Sequence, residues 1–340
     1  MKILKLVIIV FILLILAFLI WIYIGFYLPY QGVKESEIIN IEKGQDASSI
    51  ASLLKEKKII RNRTAFLVGY RILFSNQTLK AGEYSFSFPI SGREALTKII
   101  RGEIVLHLVT IPEGLMVGEI AQIFEQEVSI PKEEFLEVAS NINLITRWDK
   151  KAKNLEGYLF PDSYHFPKGI AAEKVVSSMV DEFFQIFTDE WRKRALELGM
   201  TIRQIVTLAS LIEKETSVPV ERTLISAVFH NRLKKGMKLE CDPTIIYALK
   251  KEGIYQDRLR KRDLAFDSPY NTYLYYGLPP GPICSPGKKS IEAALYPASV
   301  NYLYFVSKND GTHYFSNNLK EHNQAVRKYQ KPNHPLQKKK

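Results

Sequence analysis

"TIRQIVTLASLIEKETSVP", residues 201–219, sets the organisation of the larger part of this chain. Ile202, Ile205, Ala209 and Ile212 recur at the spacing of one helical face. The pattern predicts a buried helix that "SVP" (217–219) brings to an end. Two glutamates, Glu213 and Glu215, stand near its end, with Glu215 in the last turn. Acidic residues are seldom buried without a partner or a task. Residues two apart on a helix differ by about 200°, so these two flank the apolar face on opposite sides. Periodicity alone does not choose between them. Glu215 lies nearer the C-terminal end, where the helix dipole disfavours a carboxylate by roughly 0.3–1 kcal/mol and so favours a raised pKa.

Downstream, "VERTLISAVFHNRLKKGM" (220–237) reads as a helix closed by Gly236. In "CDPTIIYALKKEG" (241–253), Asp242 is expected as the N-cap and Pro243 as the first helical residue. "SPYNTYLYYGLPPGPICSPGKKS" (268–290) is a long loop rich in rings, Pro and Gly. A structureless stretch of that length in a compact domain is usually functional, and its rings suit a sugar-binding wall. "SPGKKSIEAAL" (285–295) opens another helix, with Ser285 expected as its cap. "YLYFVSKNDGTHYFS" (302–316) is a β-hairpin about "NDG". Asn318 and Glu321 form a capping box for the last helix.

Upstream, "AEKVVSSMVDEFFQIFTDEWRKRALELGM" (172–200) predicts one long amphipathic helix or a pair. "LEGYLFPDSYHFP" (155–167) is irregular and aromatic; Glu156 and Asp162 are candidates to hold this loop or to touch a ligand. "IVLHLVTIPEG" (104–114) starts this region with a strand, and a helix follows from about Val117 to Phe124. Before it, residues 32–103 read as strand, turn, helix, strand and helix, with Ser91 capping the last.

"LVIIVFILLILAFLIWIYIGFYLPY" runs from Leu6 to Tyr30 without a charge. About 20 apolar residues span a bilayer. The run is too long for a cleaved signal, and bulky Phe26, Tyr27 and Leu28 stand where a cleavage site needs small residues. Lys2 and Lys5 precede it, which predicts a cytoplasmic N-terminus and an extracytoplasmic remainder. The net charge of +11 therefore does not point to nucleic acid. An apolar content of 46% argues against a disordered chain. Cys241 and Cys284 make no CxxC or Cys/His spacing and read as ordinary small residues rather than a disulfide. The six histidines form no HExxH, so no metal site is expected.

"TIPEG", "LEGYLFPDSY", "ASLIEKET", "VFHNRLKKGMKLECDPT", "SPYNTYLYYGLPPGPICSPG", "ALYPA" and "YLYFVSKNDGTHYFSNNLKEHN" occur in that order. Together they resemble the endolytic murein transglycosylases, the YceG-like family of bacterial inner-membrane proteins, from the anchor to about Tyr329. The chain departs from the family pattern at Glu240, where Gln is usual, and at Ser163, where Thr is usual.

The resemblance implies an α+β protein. Its parts are a cytoplasmic stub (1–5), a transmembrane helix (6–30), a small LysM-like subdomain (31–105), a mainly helical catalytic domain like that of lytic transglycosylases (106–331) and a polar tail (332–340). It implies a lyase that cuts nascent peptidoglycan strands internally beside the plasma membrane, with peptidoglycan synthases as candidate partners. It makes Glu215, followed by the hydroxyl residue Thr216, the single catalytic acid/base. It suggests Tyr270 and Asn271 as cleft-lining residues, with Glu213, Glu156 and Asp242 as further substrate contacts. A lytic transglycosylase works with one carboxylate and needs no cofactor, whereas a glycosidase that hydrolyses generally needs two. The competing readings are a hydrolytic muramidase, using Asp242, Glu240 or Glu156 as second carboxylate, and a non-catalytic wall-binding scaffold.

Overall fold

The structure is a computed structural model that describes residues 2–330; Met1 of the stub, residue 331 and the tail 332–340 lie outside them. The chain is α+β, with helices predominating and its strands paired two by two. It divides into two units.

The first unit takes residues 1–107 together with His165–Lys168. Helix α1 (Lys2–Tyr27) carries the uncharged run, and its apolar side chains are exposed along nearly its whole length. It ends three residues before the apolar run does, because Phe26 turns into the core and Tyr30 pairs with Ile90 in an antiparallel bridge. Strand β1 (Glu37–Ile41) pairs antiparallel with β2 (Gly82–Phe86), with Ile39 opposite Tyr84. Between them lie α2 (Ala47–Glu56), capped by Asp46, and α3 (Arg63–Leu73), capped by Asn62. Periodicity did not single out α3. Its Gly69 admits the Phe26 ring, which a Cβ there would meet at 2.4 Å. Helix α4 (Gly92–Arg101) begins at the Ser91–Glu94 capping box and closes at Gly102, whose φ of 73° suits a residue without a Cβ. Ile39, Ile41, Ile50, Leu54, Phe66 and Tyr84 are among the residues of the shared core.

Strand β3 (His107–Thr110) pairs with β4 (Ser163–Phe166). The second unit then comprises α5 (Val117–Val128), α6 (Lys132–Ser140), α7 (Ala172–Ile186), α8 (Asp189–Glu197), α9 (Ile202–Glu215), α10 (Arg222–Lys234), α11 (Asp242–Lys251), α12 (Lys288–Leu295), the hairpin β5 (Tyr304–Ser307)–β6 (His313–Ser316) and α13 (Leu319–Tyr329). The stretch 172–200 is a pair of helices, because Thr188 caps α8 directly after α7 ends.

Helix α9 is the axis of this unit. Every residue from Ile205 to Ile212 is buried, Thr207 and Ser210 included. The expected single apolar face is therefore a helix packed on all sides, by α8, α10, α11 and α12. Ser210 satisfies its hydroxyl on the carbonyl of Thr207 and accepts the Ile283 N–H, tying the long loop to the helix.

Two expected caps are corrected. Cys241, not Asp242, is the N-cap residue of α11: its backbone is extended, and its carbonyl accepts the Thr244 N–H and hydroxyl. Helix α12 starts after Gly287, and Ser285 pairs instead through its backbone with Gly114 and Leu115.

Candidate active site

Glu215 is the last residue of α9, and Thr216 beyond it is extended. The residue keeps part of its surface open, while its carboxyl is desolvated by the protein around it. Burial pushes this carboxyl up to about 7, and the Asp242 charge adds to the rise. A hydrogen bond with Cys241 and the Arg232 charge oppose it and do not cancel it. At neutral pH a large share of Glu215 therefore keeps its proton, as a general acid must.

The surroundings of Glu215 come from three segments remote from α9 in sequence. Asp242 sits at the N-terminus of α11 and accepts the Tyr273 hydroxyl at 2.6 Å. Freed of capping, its carboxylate is exposed. Burial and Asp242 both raise the Tyr273 phenol, which stays neutral and donates. Arg232 of α10 is buried; its Nη1 donates to Glu240 at 3.0 Å and to the Leu239 carbonyl, and its Nε to the Leu303 carbonyl. Glu240, the departure from the family pattern, holds a φ of 51° and pairs with Arg232. Tyr273, Arg232 and Cys241 were not singled out from the sequence. Nothing in the spacing of a loop with several tyrosines says which ring meets α11.

Thr216 anchors the turn after the acid. Its buried hydroxyl donates to Glu221 at 3.4 Å and accepts the Val218 N–H at 3.0 Å. Glu221 in turn holds His313 of β6 through both the ring and the backbone N–H.

Glu213 points elsewhere, as helical geometry requires. Its carboxylate accepts the Gly287 N–H at the start of α12, at 2.9 Å, and lies 3.6 Å from Arg222. Glu113 shares Arg222 at 3.9 Å, and burial together with Glu213 raises its pKa. This is an ion cluster that fixes α9 against α12.

Glu156 and Tyr270 form a third group. Glu156 is buried and accepts the Val117 N–H at 3.1 Å and the Tyr247 hydroxyl at 3.4 Å. Burial pushes its carboxyl up to about 8. The Tyr270 phenol is hydrogen-bonded to that of Tyr247, with ring centroids 4.8 Å apart. Glu156 and Tyr270 line a small pocket of about 180 Å³ with Lys153, Arg203 and Lys251. Asn271 is fully buried: its amide donates to the carbonyls of Leu264 and Phe266, and its oxygen accepts the Tyr273 N–H. Asn271 thus lies inside the loop rather than on an open wall. Of the expected contacts, Asp242 is the one whose charge acts on the Glu215 carboxyl.

Both cysteines are free and buried. Among the described residues, no group of three or more His, Cys, Asp or Glu side chains is placed to hold a metal ion. One carboxyl held partly protonated, beside one exposed carboxylate and a neutral phenol, can deliver a proton to a leaving oxygen and take one back.

The YceG-like family model matches residues 39–328. A Bacillus subtilis (strain 168) protein named endolytic murein transglycosylase is 34% identical over 316 residues, covering 87% of this chain and 85% of its own. A Streptococcus pneumoniae (strain R6) protein of the same name is 29% identical over 92% of this chain; the match spans 63% of that longer protein. The crystal structure of a yceG-like protein from Listeria monocytogenes superposes with a TM-score of 0.60 at 35% identity, over 86% of this chain and 99% of that one.

Proposed function

Since the chain belongs to the YceG-like family, we propose that it is an endolytic murein transglycosylase, a lyase that cuts the MurNAc–GlcNAc bond within peptidoglycan strands. The observation that carries the reaction is the raised carboxyl of Glu215 at the end of the buried helix α9. Glu215 gives its proton to the glycosidic oxygen as the C1–O bond of MurNAc breaks. The neighbouring acetamido group holds the positive charge that develops at C1. The carboxylate then takes the proton of the 6-hydroxyl, whose oxygen bonds to C1 and leaves a 1,6-anhydro end. No water is consumed and no cofactor takes part.

The decisive measurement is mass spectrometry of the ends made by the full chain in detergent on uncrosslinked glycan strands. Anhydro ends support the proposal. Reducing ends, heavier by one water, support the hydrolytic reading, which the exposed Asp242 carboxylate beside Glu215 favours. Strand binding with no cleavage supports a scaffold.

Asp242 also gives a pH test. Its charge raises the Glu215 carboxyl, so Asp242→Asn lowers that pKa. The acid form then disappears at lower pH. The alkaline limb of kcat/KM, placed near pH 7 by Glu215, moves to more acidic values. An unmoved limb removes Asp242 from the electrostatics of the site.

Helix α1 is long and apolar enough to cross a membrane. We read it as a single span with Lys2 and Lys5 on the cytoplasmic side. On that reading the remainder of the chain works outside the cytoplasm, and we infer peptidoglycan synthases as partners. Protease added outside spheroplasts should digest nearly the whole chain and leave a short membrane fragment. Full protection would reverse the orientation, and a protein recovered wholly soluble would remove the span.

A further inference from the structure

Helix α1 leaves its apolar run at the edge of a pocket. Phe26 is buried against Gly69, and Tyr27, the last residue of the helix, lines a cavity of about 640 Å³ together with Ser87 and the Arg93, Lys98 and Arg101 side chains of α4. Arg93 stacks on the Tyr27 ring, 5.7 Å from its centroid. Among the described residues, neither Arg93 nor Lys98 is ion-paired with a carboxylate; Lys98 donates to the Ser85 carbonyl at 2.6 Å. Arg101 lies 3.6 Å from Glu103, with both side chains largely exposed, so that pair opens readily. The other acid on the wall, Glu94, is committed: its carboxylate accepts the Ser91 N–H and hydroxyl in the capping box. A second cation, Arg61, stacks on Tyr30 at 5.3 Å, just beyond the helix end.

The height of this pocket follows from the helix. From Lys5 to Tyr27 the axis rises by about 33 Å, against a hydrocarbon core of about 30 Å. If Lys5 sits in one headgroup layer, Tyr27 reaches the other. The chemical group present at that depth in every phospholipid is the phosphate. Guanidinium and ammonium groups bind it by charge-assisted hydrogen bonds, and anionic lipids draw basic residues beside a span. In a zwitterionic lipid the ammonium of the headgroup competes for the same phosphate, so the pocket favours a lipid with net negative charge.

We propose that the pocket between Tyr27 and the basic face of α4 binds the phosphate of an anionic phospholipid in the leaflet where α1 emerges. The proposal rests on α1 spanning the membrane and is independent of the chemistry at Glu215. A lipid held there fixes the first unit at the surface and restrains its rotation about α1.

Native mass spectrometry of the full chain, released from detergent containing equal phosphatidylglycerol and phosphatidylcholine, tests it. The wild type should retain phosphatidylglycerol over phosphatidylcholine by about tenfold or more. The Arg93→Gln/Lys98→Gln/Arg101→Gln variant should lose that preference, with its circular dichroism spectrum and its glycan cleavage unchanged. Arg71→Gln, an exposed change on α3, should keep the preference. Arg93→Gln alone should weaken it measurably, which keeps the test open if the triple variant folds poorly. No preference in the wild type, or an equal preference in the triple variant, overturns the proposal. Displacement of the lipid by a few millimolar inorganic phosphate assigns the pocket to a soluble anion and overturns the lipid reading. A chain recovered without detergent removes the span on which the proposal stands.

Discussion

Glu215→Gln should lower the yield of anhydro ends by at least about 10²–10⁴-fold, the usual contribution of a positioned acid/base. The amide keeps the shape of the carboxyl and can still meet Cys241, which hydrogen-bonds the native side chain. It cannot give a proton to the leaving oxygen or recover one from the 6-hydroxyl. Strand binding should survive, because no binding group is lost. Glu213→Gln makes the useful contrast. Its oxygen can still accept the Gly287 N–H, and only the charge facing Arg222 disappears. That variant should fold with a lower thermal midpoint and retain measurable lytic activity. Purified chains of all three forms, given the same strands, decide between the two glutamates. Normal product from Glu215→Gln with none from Glu213→Gln would exchange their roles. Normal product from both would move the chemistry off α9.

The second large effect lies in stability and comes from Glu156. Its carboxyl keeps its proton up to about pH 8 in the native chain, against 4.5 for an unperturbed glutamate. Between those values the native state binds more protons than the unfolded state, so stability falls as pH rises. The contribution is fully present below the unfolded pKa and gone above about pH 8. A shift of this size corresponds to a few kcal/mol. The denaturant midpoint should therefore be clearly lower at pH 8.5 than at pH 5.5. In Glu156→Gln that decline should flatten, because an amide does not ionise. Glu215, also raised, acts with the same sign, so the comparison belongs in a Glu215→Gln background. Tryptophan fluorescence follows the second unit through Trp148, stacked on Phe184 at 3.7 Å, and Trp191. Equal slopes with and without Glu156 would show that its carboxyl is not held neutral.

The three carboxyl groups on these helices and loops illustrate what patterning transmits. The 201–219 stretch announced a buried helix and put Glu213 and Glu215 on opposite sides, because rotation per residue is a local property of the backbone. The structure honours this: one carboxylate meets the start of α12, the other the start of α11. The helix dipole gave only a small lean towards Glu215 as the raised acid; the burial that sets its pKa, and the Cys241, Asp242 and Arg232 groups that reach it from α10, α11 and the turn between them, were not legible. Glu156 looked like a loop anchor or ligand contact. The rise in its pKa comes from burial, which the hydrogen bonds from Val117 and Tyr247 oppose without cancelling, and no property of "LEGYLFP" encodes that burial.

The caps divide in the same way. Ser91 caps α4 as read, because a capping side chain reaches only a few residues along its own segment; at α13 only half of the expected box forms, Asn318 accepting the Glu321 N–H while the Glu321 carboxylate accepts the Asn317 N–H instead. Asp242 had the right residue type in the right place. It was displaced when Cys241 took the cap, and its carboxylate was left to meet Tyr273, 31 residues away. The long loop was recognisable from its rings and prolines, yet its interior order was not. Asn271 went inside to bond Leu264 and Phe266, Tyr270 went to Tyr247, and Tyr273 went to Asp242.

By itself, then, the sequence determined what depends on neighbours along the chain: an apolar helix long enough to cross a bilayer, the positions of most helices, the local caps and the motif order of the family. The tertiary structure alone decided which acidic groups are desolvated, which tyrosine reaches the candidate acid and which polar side chains are consumed in holding loops. Desolvation and Coulomb fields sum over everything nearby in space, and the groups that set them for Glu215 are brought together only when α9, α10 and α11 pack.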